Sequence, residues 1–284
     1  MKKIGFIDYY LDEWHANKYP GWIEQATNGA MRVAFAYGKQ DAPGGRTNAD
    51  WCRDNGIELL RTIEEVVERS DYLIVLSPDH PEFHEELATL PLQSGKPTYV
   101  DKTFAPDRGT ALRLFATARN HGTPVYSSSA LRFAAEYERI DRTGIDMVCS
   151  FGPGAYANYS VHQIEPIVSL MGSEAERIMF VGTERSPAWL IGFRDGRQAS
   201  MHHFGSAAFS MSIHYGAGKS EAVRIESDFF AAFIRSLTRF FATGEVPVDP
   251  AETIAIMTII EQGLLAIASP FQWMALPTDD GYGV

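Results

Sequence analysis

Cysteine is scarce: Cys52 and Cys149 are the only two in 284 residues. They lie far apart and without metal-ligand spacing, so the chain is no disulfide scaffold and suits a reducing compartment. Positive charge is also in deficit. Twenty-five Lys and Arg stand against 36 Asp and Glu, a formal net charge of −11, which argues against nucleic acid or an anionic membrane as partner. No apolar run approaches the roughly 18 residues of a membrane helix. The opening run Ile4-Gly5-Phe6-Ile7 is cut by Asp8, too early for a signal-peptide core. Internal repeats and low-complexity segments are absent. Glycine is missing from Phe6 to Pro20, the turn after the first apolar run. A cytoplasmic globular protein is expected.

A hydrophobic content of 45% suffices for one large or two medium cores. Lys3 to Ile7, Met31 to Tyr37, Asp71 to Ser77, Thr98 to Val100 and Pro124 to Ser127 read as strands. Between them, Trp22 to Asn28, Asp50 to Asn55, Ile63 to Arg69, Glu82 to Leu90 and Asp107 to His121 read as helices. Strand–helix alternation predicts a Rossmann-like, doubly wound parallel sheet. After about Ala130 the pattern changes. Met147 to Phe151 reads as a strand, and Tyr156 to Met171 as a helix stopped by Gly172. Strand-like runs follow at Ile178 to Thr183, Ala188 to Phe193, Gln198 to Phe204 and Phe209 to Tyr215. Asp195-Gly196 is a hairpin signal. Two helices, Asp228 to Ala242 and Ala251 to Ala268, close the chain. The expected domains are 1–128, of nucleotide-binding type, and 129–284, an α+β domain with a mostly antiparallel open sheet.

The chemistry centres on Gly95 to Pro106, G-K-P-T-Y-V-D-K-T-F-A-P. Asp101-Lys102 falls at the carboxyl end of a strand, where open α/β sheets bind ligands. A lysine there can polarise a hydroxyl; a solvated surface ion pair is the plainer alternative. The stretch resembles the A-G-K-x-V-x-x-E-K-P-x-A segment of the Gfo/Idh/MocA oxidoreductases. Asp101 stands for that family's Glu and Thr103 for its Pro. The resemblance implies an oxidoreductase that moves a hydride between NAD or NADP and a sugar or polyol carbon, with Lys102 meeting the substrate hydroxyl. It also implies a homo-oligomer, dimer or tetramer, built through the second-domain sheet.

A second match is Asn158-Tyr159-Ser160-Val161-His162-Gln163-Ile164-Glu165, similar to the family's D-x-G-x-H-x-x-D helix. Asn158 and His162 are four residues apart and share a helical face. The resemblance makes His162 the proton-shuttling residue and Asn158, in the place of Asp, the residue that orients substrate; Glu165 is a structural support. Arg132-Phe133 resembles the pair that opens the family's second domain, where Arg132 binds an acidic sugar or pairs with a carboxylate.

Ser77-Pro78-Asp79-His80 resembles the T-P-N-x-x-H loop that borders the nicotinamide. His80 and His84, four apart, are weighed as metal ligands and rejected for want of a third; no metal is expected. The remaining cofactor-binding positions implied are Asp8, Tyr9, Tyr10, Tyr37, Asp101 and Lys102. Both nucleotide determinants are altered, however. The family's G-x-G-x-x-A/G loop is here Asp8 to Glu13, with carboxylates at 8, 12 and 13, and Tyr37-Gly38-Lys39 replaces the acidic residue for the ribose. Lys39 is either a 2′-phosphate contact or a turn lysine. Two alternatives therefore stand beside the dehydrogenase: a cofactor-free carbohydrate-binding or regulatory relative, and a non-redox lyase or hydrolase using Lys102 and His162. Gly216 to Ser220 has the ending of a P-loop but suits a hairpin turn. His202 and His203 point to opposite faces of a strand. Trp189, Phe193, Met201, Phe209, Met211 and Tyr215 are assigned to packing, on helices or on a partner.

Overall fold

A computed structural model describes residues 1–277. The chain divides into two compact units: Met1–Ser128 with Ala231–Asp249, and Ser129–Phe230 with the residues from Pro250 onward.

In the first unit, β1 (Lys2–Asp8), β2 (Met31–Gly38), β3 (Glu58–Leu59), β4 (Tyr72–Val75), β5 (Thr98–Val100) and β6 (Val125–Tyr126) form one sheet. Its order is β3-β2-β1-β4-β5-β6, parallel throughout. This is the doubly wound order that places ligands at the carboxyl ends of the strands. Five helices alternate with the strands: α1 (Trp14–Ala26), α2 (Asn48–Asn55), α3 (Ile63–Arg69), α4 (His84–Leu92) and α5 (Arg108–Asn120). Local chemistry sets their ends. Thr47, Thr62 and Asp107 accept N–H bonds at the starts of α2, α3 and α5, and Gly56 closes α2 at φ +64°. Gly5 sits mid-strand because α3 crosses close by. A Cβ there would lie 2.4 Å from both Ser70 Oγ and Val66 Cγ1.

The second unit holds the short α6 (Ala135–Glu138) and β7 (Ile145–Gly152), α7 (Tyr156–Met171), β8 (Ala175–Phe180), β9 (Ala188–Phe193), β10 (Gln198–His203), β11 (Ser210–Tyr215) and β12 (Ser220–Arg224). After α8 (Phe229–Thr243) come α9 (Pro250–Ala266) and β13 (Met274–Ala275). The sheet order is β12-β11-β7-β10-β9-β8-β13, antiparallel except for the β7–β10 pair. The turn at Gly196 (φ +90°) joins β9 to β10. Gly216 to Ser220 forms the β11–β12 turn, with Gly218 at φ +83°. Trp189, Phe193, Met201, Met211 and Tyr215 are all buried within the chain itself.

Helix α8 follows β12 of the second sheet in sequence, yet most of it packs with the first unit. Phe233 meets Tyr19 and Tyr99, Phe240 meets Tyr126, and Phe241 stacks on Tyr72 at 4.9 Å. The range expected for the second domain therefore surrenders 231–249 to the first compact unit. Burial of one aromatic face drives the return.

In the second unit α7 and α9 pack against each other, and α9 lies on β8. Tyr156 donates to Ile259 O (2.9 Å), and Trp189 Nε1 donates to Gly263 O (2.9 Å). A Cβ on Gly263 would fall 1.7 Å from Tyr156 Oη, and that backbone-anchored ring has no room to retreat. Gly263→Ala is expected to cost about 1–3 kcal/mol of stability, read as a lower urea midpoint. An unchanged midpoint would show that the helices can part freely.

Candidate functional site at the carboxyl edge of the parallel sheet

Strand β5 ends at Val100, and Asp101 N–H still bonds Val75 O at 2.9 Å. The next two side chains are thereby held at the carboxyl edge of the sheet. Asp101 is 1% exposed and the Lys102 side chain 10%. The exposed-ion-pair alternative is thus set aside for Lys102. Lys102 Nζ lies 3.4 Å from Asp79 Oδ1. Tyr99 Oη stands 3.0 Å from Asp101 Oδ1 and 2.9 Å from Ser128 O, with one proton for the two acceptors. Burial, then the Asp101 charge, pushes the Tyr99 phenol well above its ordinary value.

The loop after β4 carries backbone strain beside Lys102. Ser77 has φ +106° and Asp79 φ +64°, both left-handed and neither glycine. Ser77 Oγ donates to His80 O (3.0 Å). His80 packs on Tyr9, its Nδ1 3.2 Å from Glu82 Oε1. His84 starts α4 after a separate 3-10 turn, fully buried, with Nδ1 3.0 Å from Phe104 O. Burial lowers its pKa. Among the described residues no group of three or more His, Cys, Asp or Glu is placed to hold a metal ion.

The turn after β1 is where a dinucleotide fold would present amides to a pyrophosphate. Here α1 begins at Trp14, well before the Trp22 start expected from sequence, and Pro20 lies inside it. Glu13 caps it: Oε2 accepts from His15 N–H at 2.7 Å and Oε1 from Ala16 N–H. Two of the first-turn donors, those of His15 and Ala16, are thus satisfied by the chain's own carboxylate. Asp8 is fully buried, with Oδ1 accepting from Tyr9 N–H at 2.7 Å. Burial, with the Glu13 charge next to it, pushes its carboxyl well above the usual range. Asp12 turns away to Arg46 (2.7 Å) and Asn17.

Neighbouring positions are filled as well. Asn48 accepts from Leu11 N–H (3.0 Å) and donates to Gly38 O and Gln40 O. Tyr9 stacks on Phe83 at 4.1 Å. Tyr10 is half-buried, and its phenol is raised by burial and by Asp8. Tyr37 is half-buried near the end of β2, and Lys39 pairs with Glu86, as suits a turn lysine. The His15 and Ala16 amides at the head of α1 are taken, and a phosphate charge about 4 Å from Glu13 would cost about 1 kcal/mol in water and about 4 near a protein surface.

Glu13 also holds His15, a residue the sequence did not single out. His15 Nδ1 lies 3.1 Å from Glu13 Oε2, and the imidazole interacts electrostatically with Asp101 and Lys102. Burial alone would lower its pKa; Asp101 and Glu13 outweigh that and hold it above its ordinary value. Trp14 and Tyr19 stand edge-on to its ring at 5.1 and 5.4 Å. A sequence signal existed in Glu13-x-His15 at a loop-to-helix junction, but Glu is not among the usual cap residues.

In the second unit, α7 carries Asn158, exposed, and His162, half-buried. His162 Nδ1 is 2.7 Å from Ser129 Oγ, and its ring meets Tyr159 and Phe209. The serine hydroxyl can donate or accept, so it fixes the ring plane while supporting either tautomer. Glu165 Oε2 accepts the Ser129 N–H. Arg132 pairs with Glu252 at 2.7 Å and approaches Glu165 only to 3.8 Å. His203 is buried, with Nδ1 3.1 Å from Gly154 O, while His202 stacks on Phe151.

No protein-family model matches the chain, and no curated protein matches it in sequence. Solved structures do match. One is scyllo-inositol dehydrogenase from Lactobacillus casei with bound NAD(H) and scyllo-inositol. It is 14% identical over 96% of this chain and 98% of its own, with a TM-score of 0.77. Another is myo-inositol 2-dehydrogenase from Lactobacillus plantarum, 12% identical over 97% and 99%, with a TM-score of 0.76. Identity this low speaks for architecture alone. In the order of its parallel sheet and in the mixed sheet that follows, the chain shares the fold of these inositol dehydrogenases.

Proposed function

We propose that the chain is an enzyme on this oxidoreductase fold that acts at a hydroxyl-bearing carbon of a sugar or polyol. The observation that carries the reading is Lys102, buried beside Asp101 at the carboxyl edge of the parallel sheet. Its ammonium binds and polarises the hydroxyl. The second unit carries candidate groups of its own: His162, oriented by Ser129 as a proton-exchanging residue, and Asn158, exposed on the same helix with an amide for a hydroxyl. Likeness to the inositol dehydrogenases supports a redox form, in which NAD or NADP would border Ser77, Pro78, Asp79, His80, Asp101 and Lys102. The capped start of α1 favours a second form: proton chemistry on the same substrates without net redox.

The test is a sugar and polyol screen run with NAD, with NADP, and without cofactor on protein unfolded and refolded to strip bound nucleotide. Turnover that requires added nucleotide supports the redox form; turnover without it supports the second. No turnover of any polyol under either condition rejects the reading. Trp14, 46% exposed and touching His15, reports binding directly. Saturable quenching of nucleotide-free protein by NADH or NADPH supports the redox form, and no quenching up to millimolar concentration beyond the inner-filter effect supports the second.

A further inference from the structure

We propose that His84, fully buried at the head of α4, is a positioning residue for Lys102. Its imidazole holds the carbonyl two residues beyond the lysine and so fixes where the ammonium stands. The inference deepens the reading of Lys102 as a hydroxyl-binding residue and rests on it.

Three observations support it. First, a proton count fixes the ring. A carbonyl oxygen can only accept, so His84 Nδ1, 3.0 Å from Phe104 O, carries its hydrogen. Burial keeps the imidazole neutral, with that as its one ring proton. Nε2 is left as an acceptor, buried and without a hydrogen-bond partner among the described residues. An unmatched buried polar atom costs about 1–3 kcal/mol. An apolar side chain would fill the same space without that cost, so packing alone does not explain a histidine here. What the imidazole adds is a donor at one point, on Phe104 O.

Second, the loop is tied on both sides of residue 102. Before it, Ser127 Oγ donates to Asp101 O at 3.2 Å, and Asp101 N–H bonds Val75 O at 2.9 Å. After it, His84 donates to Phe104 O, and the Phe104 ring stacks on Phe115 at 4.6 Å. Asp101, Phe104 and Ala105 are each 1% exposed, so little water reaches the loop to replace a lost donor. Third, His84 also follows the segment that carries the lysine's partner. The 3-10 turn Pro81–Phe83 joins the Asp79 loop to α4, whose first residue is His84. One imidazole thus links the segment of Asp79 to that of Lys102, whose charged groups stand 3.4 Å apart. Polarising a hydroxyl depends on such placement, and an error of about 1 Å can cost on the order of 100-fold in rate.

The variants are His84→Asn, whose amide N–H takes the Nδ1 position, and His84→Leu, which keeps the bulk and removes the donor. On the substrate found by the screen, His84→Leu is expected to lower kcat by about 10- to 100-fold with KM little changed. His84→Asn should recover most of that loss. Hydrogen–deuterium exchange should show protection of the peptide over 101–105 lost in His84→Leu and kept in His84→Asn. A role in stability alone would lower the urea midpoint of both variants and leave kcat per folded molecule unchanged. That result would overturn the inference, and a damaging Lys102→Met would leave the proposed function standing. A harmless Lys102→Met would instead remove the reading of Lys102 and this inference with it. Should His84→Leu fail to fold, NMR of the wild-type protein carrying 15N-labelled histidine decides. The His84 signals, assigned with His84→Asn, should show a protonated Nδ1 and a bare Nε2; a proton on Nε2 instead would overturn the inference.

Discussion

Lys102→Met lowers kcat/KM for the sugar or polyol substrate by about 100- to 10,000-fold, the range for a group that assists proton transfer or polarises a reacting oxygen. Methionine keeps the length and the apolar stem and removes only the charge and its donors. The fold should tolerate the change. The partner Asp79 is 3.4 Å away and exposed, so water takes over its solvation. Lys102→Arg should recover little, because a planar fork does not occupy the point position of an ammonium. The check is steady-state kinetics on the substrate found by the screen, with circular dichroism and the urea midpoint as controls. Unchanged kcat/KM in a folded Lys102→Met protein would remove Lys102 from the chemistry.

Stability should fall with rising pH because of Glu165, and Glu165→Gln should abolish that slope. Burial pushes the Glu165 carboxyl up to about 8. The Arg132 guanidinium opposes this weakly, since it sits 3.8 Å away and is already engaged by Glu252 at 2.7 Å. The folded state therefore holds this proton more tightly than the unfolded chain, whose glutamate titrates near the ordinary 4.5. Stability from this group is complete below that value, declines as pH rises towards about 8, and levels off above. The full span is on the order of 4–5 kcal/mol, at about 1.36 kcal/mol per pKa unit. Glutamine retains an oxygen for the Ser129 N–H and cannot ionise. Urea unfolding at pH 5 and pH 9, followed by tryptophan fluorescence, should show the variant gaining on the wild type at the higher pH. A gap that stays constant with pH would mean that Glu165 keeps its charge in the fold.

Those two residues were legible to different depths. Lys102 could be read as a site residue because a strand end, a helix start and an acid–base pair follow one another within a dozen positions, and every such signal is local. Glu165 could be matched to a helix pattern, but its protonation depends on burial and on Arg132, thirty-three positions earlier. Helices α3 and α7 and strands β5 and β9 fell on their expected residues, for they are bounded by caps, glycine or proline and have one clear period. The strands β3, β12 and β13 went unread; two are only two residues long, and β12 is largely exposed, so none carries a hydrophobic pattern.

At the turn after β1, the missing glycines were plain in the sequence, and so was the excess of carboxylates. In sequence the three carboxylates form one acidic turn. In the structure each has a separate fate: Asp8 is buried with its pKa raised, Asp12 is paired with Arg46, and Glu13 is bonded to the head of α1. Pro20 hid the first half of that helix and with it His15.

Composition, periodicity and turn residues by themselves determined a two-part α/β chain with a parallel sheet first and a largely antiparallel one after it. They also determined that the nucleotide turn lacks its glycines, since these are properties of neighbouring residues. Only tertiary structure decided that α8 returns to the first unit and that Glu13 bonds two amides at the head of α1. It alone held His15 against Glu13 and kept Asp8 and Glu165 out of water. Burial and charge proximity are sums over residues far apart in the chain, and no local window contains them.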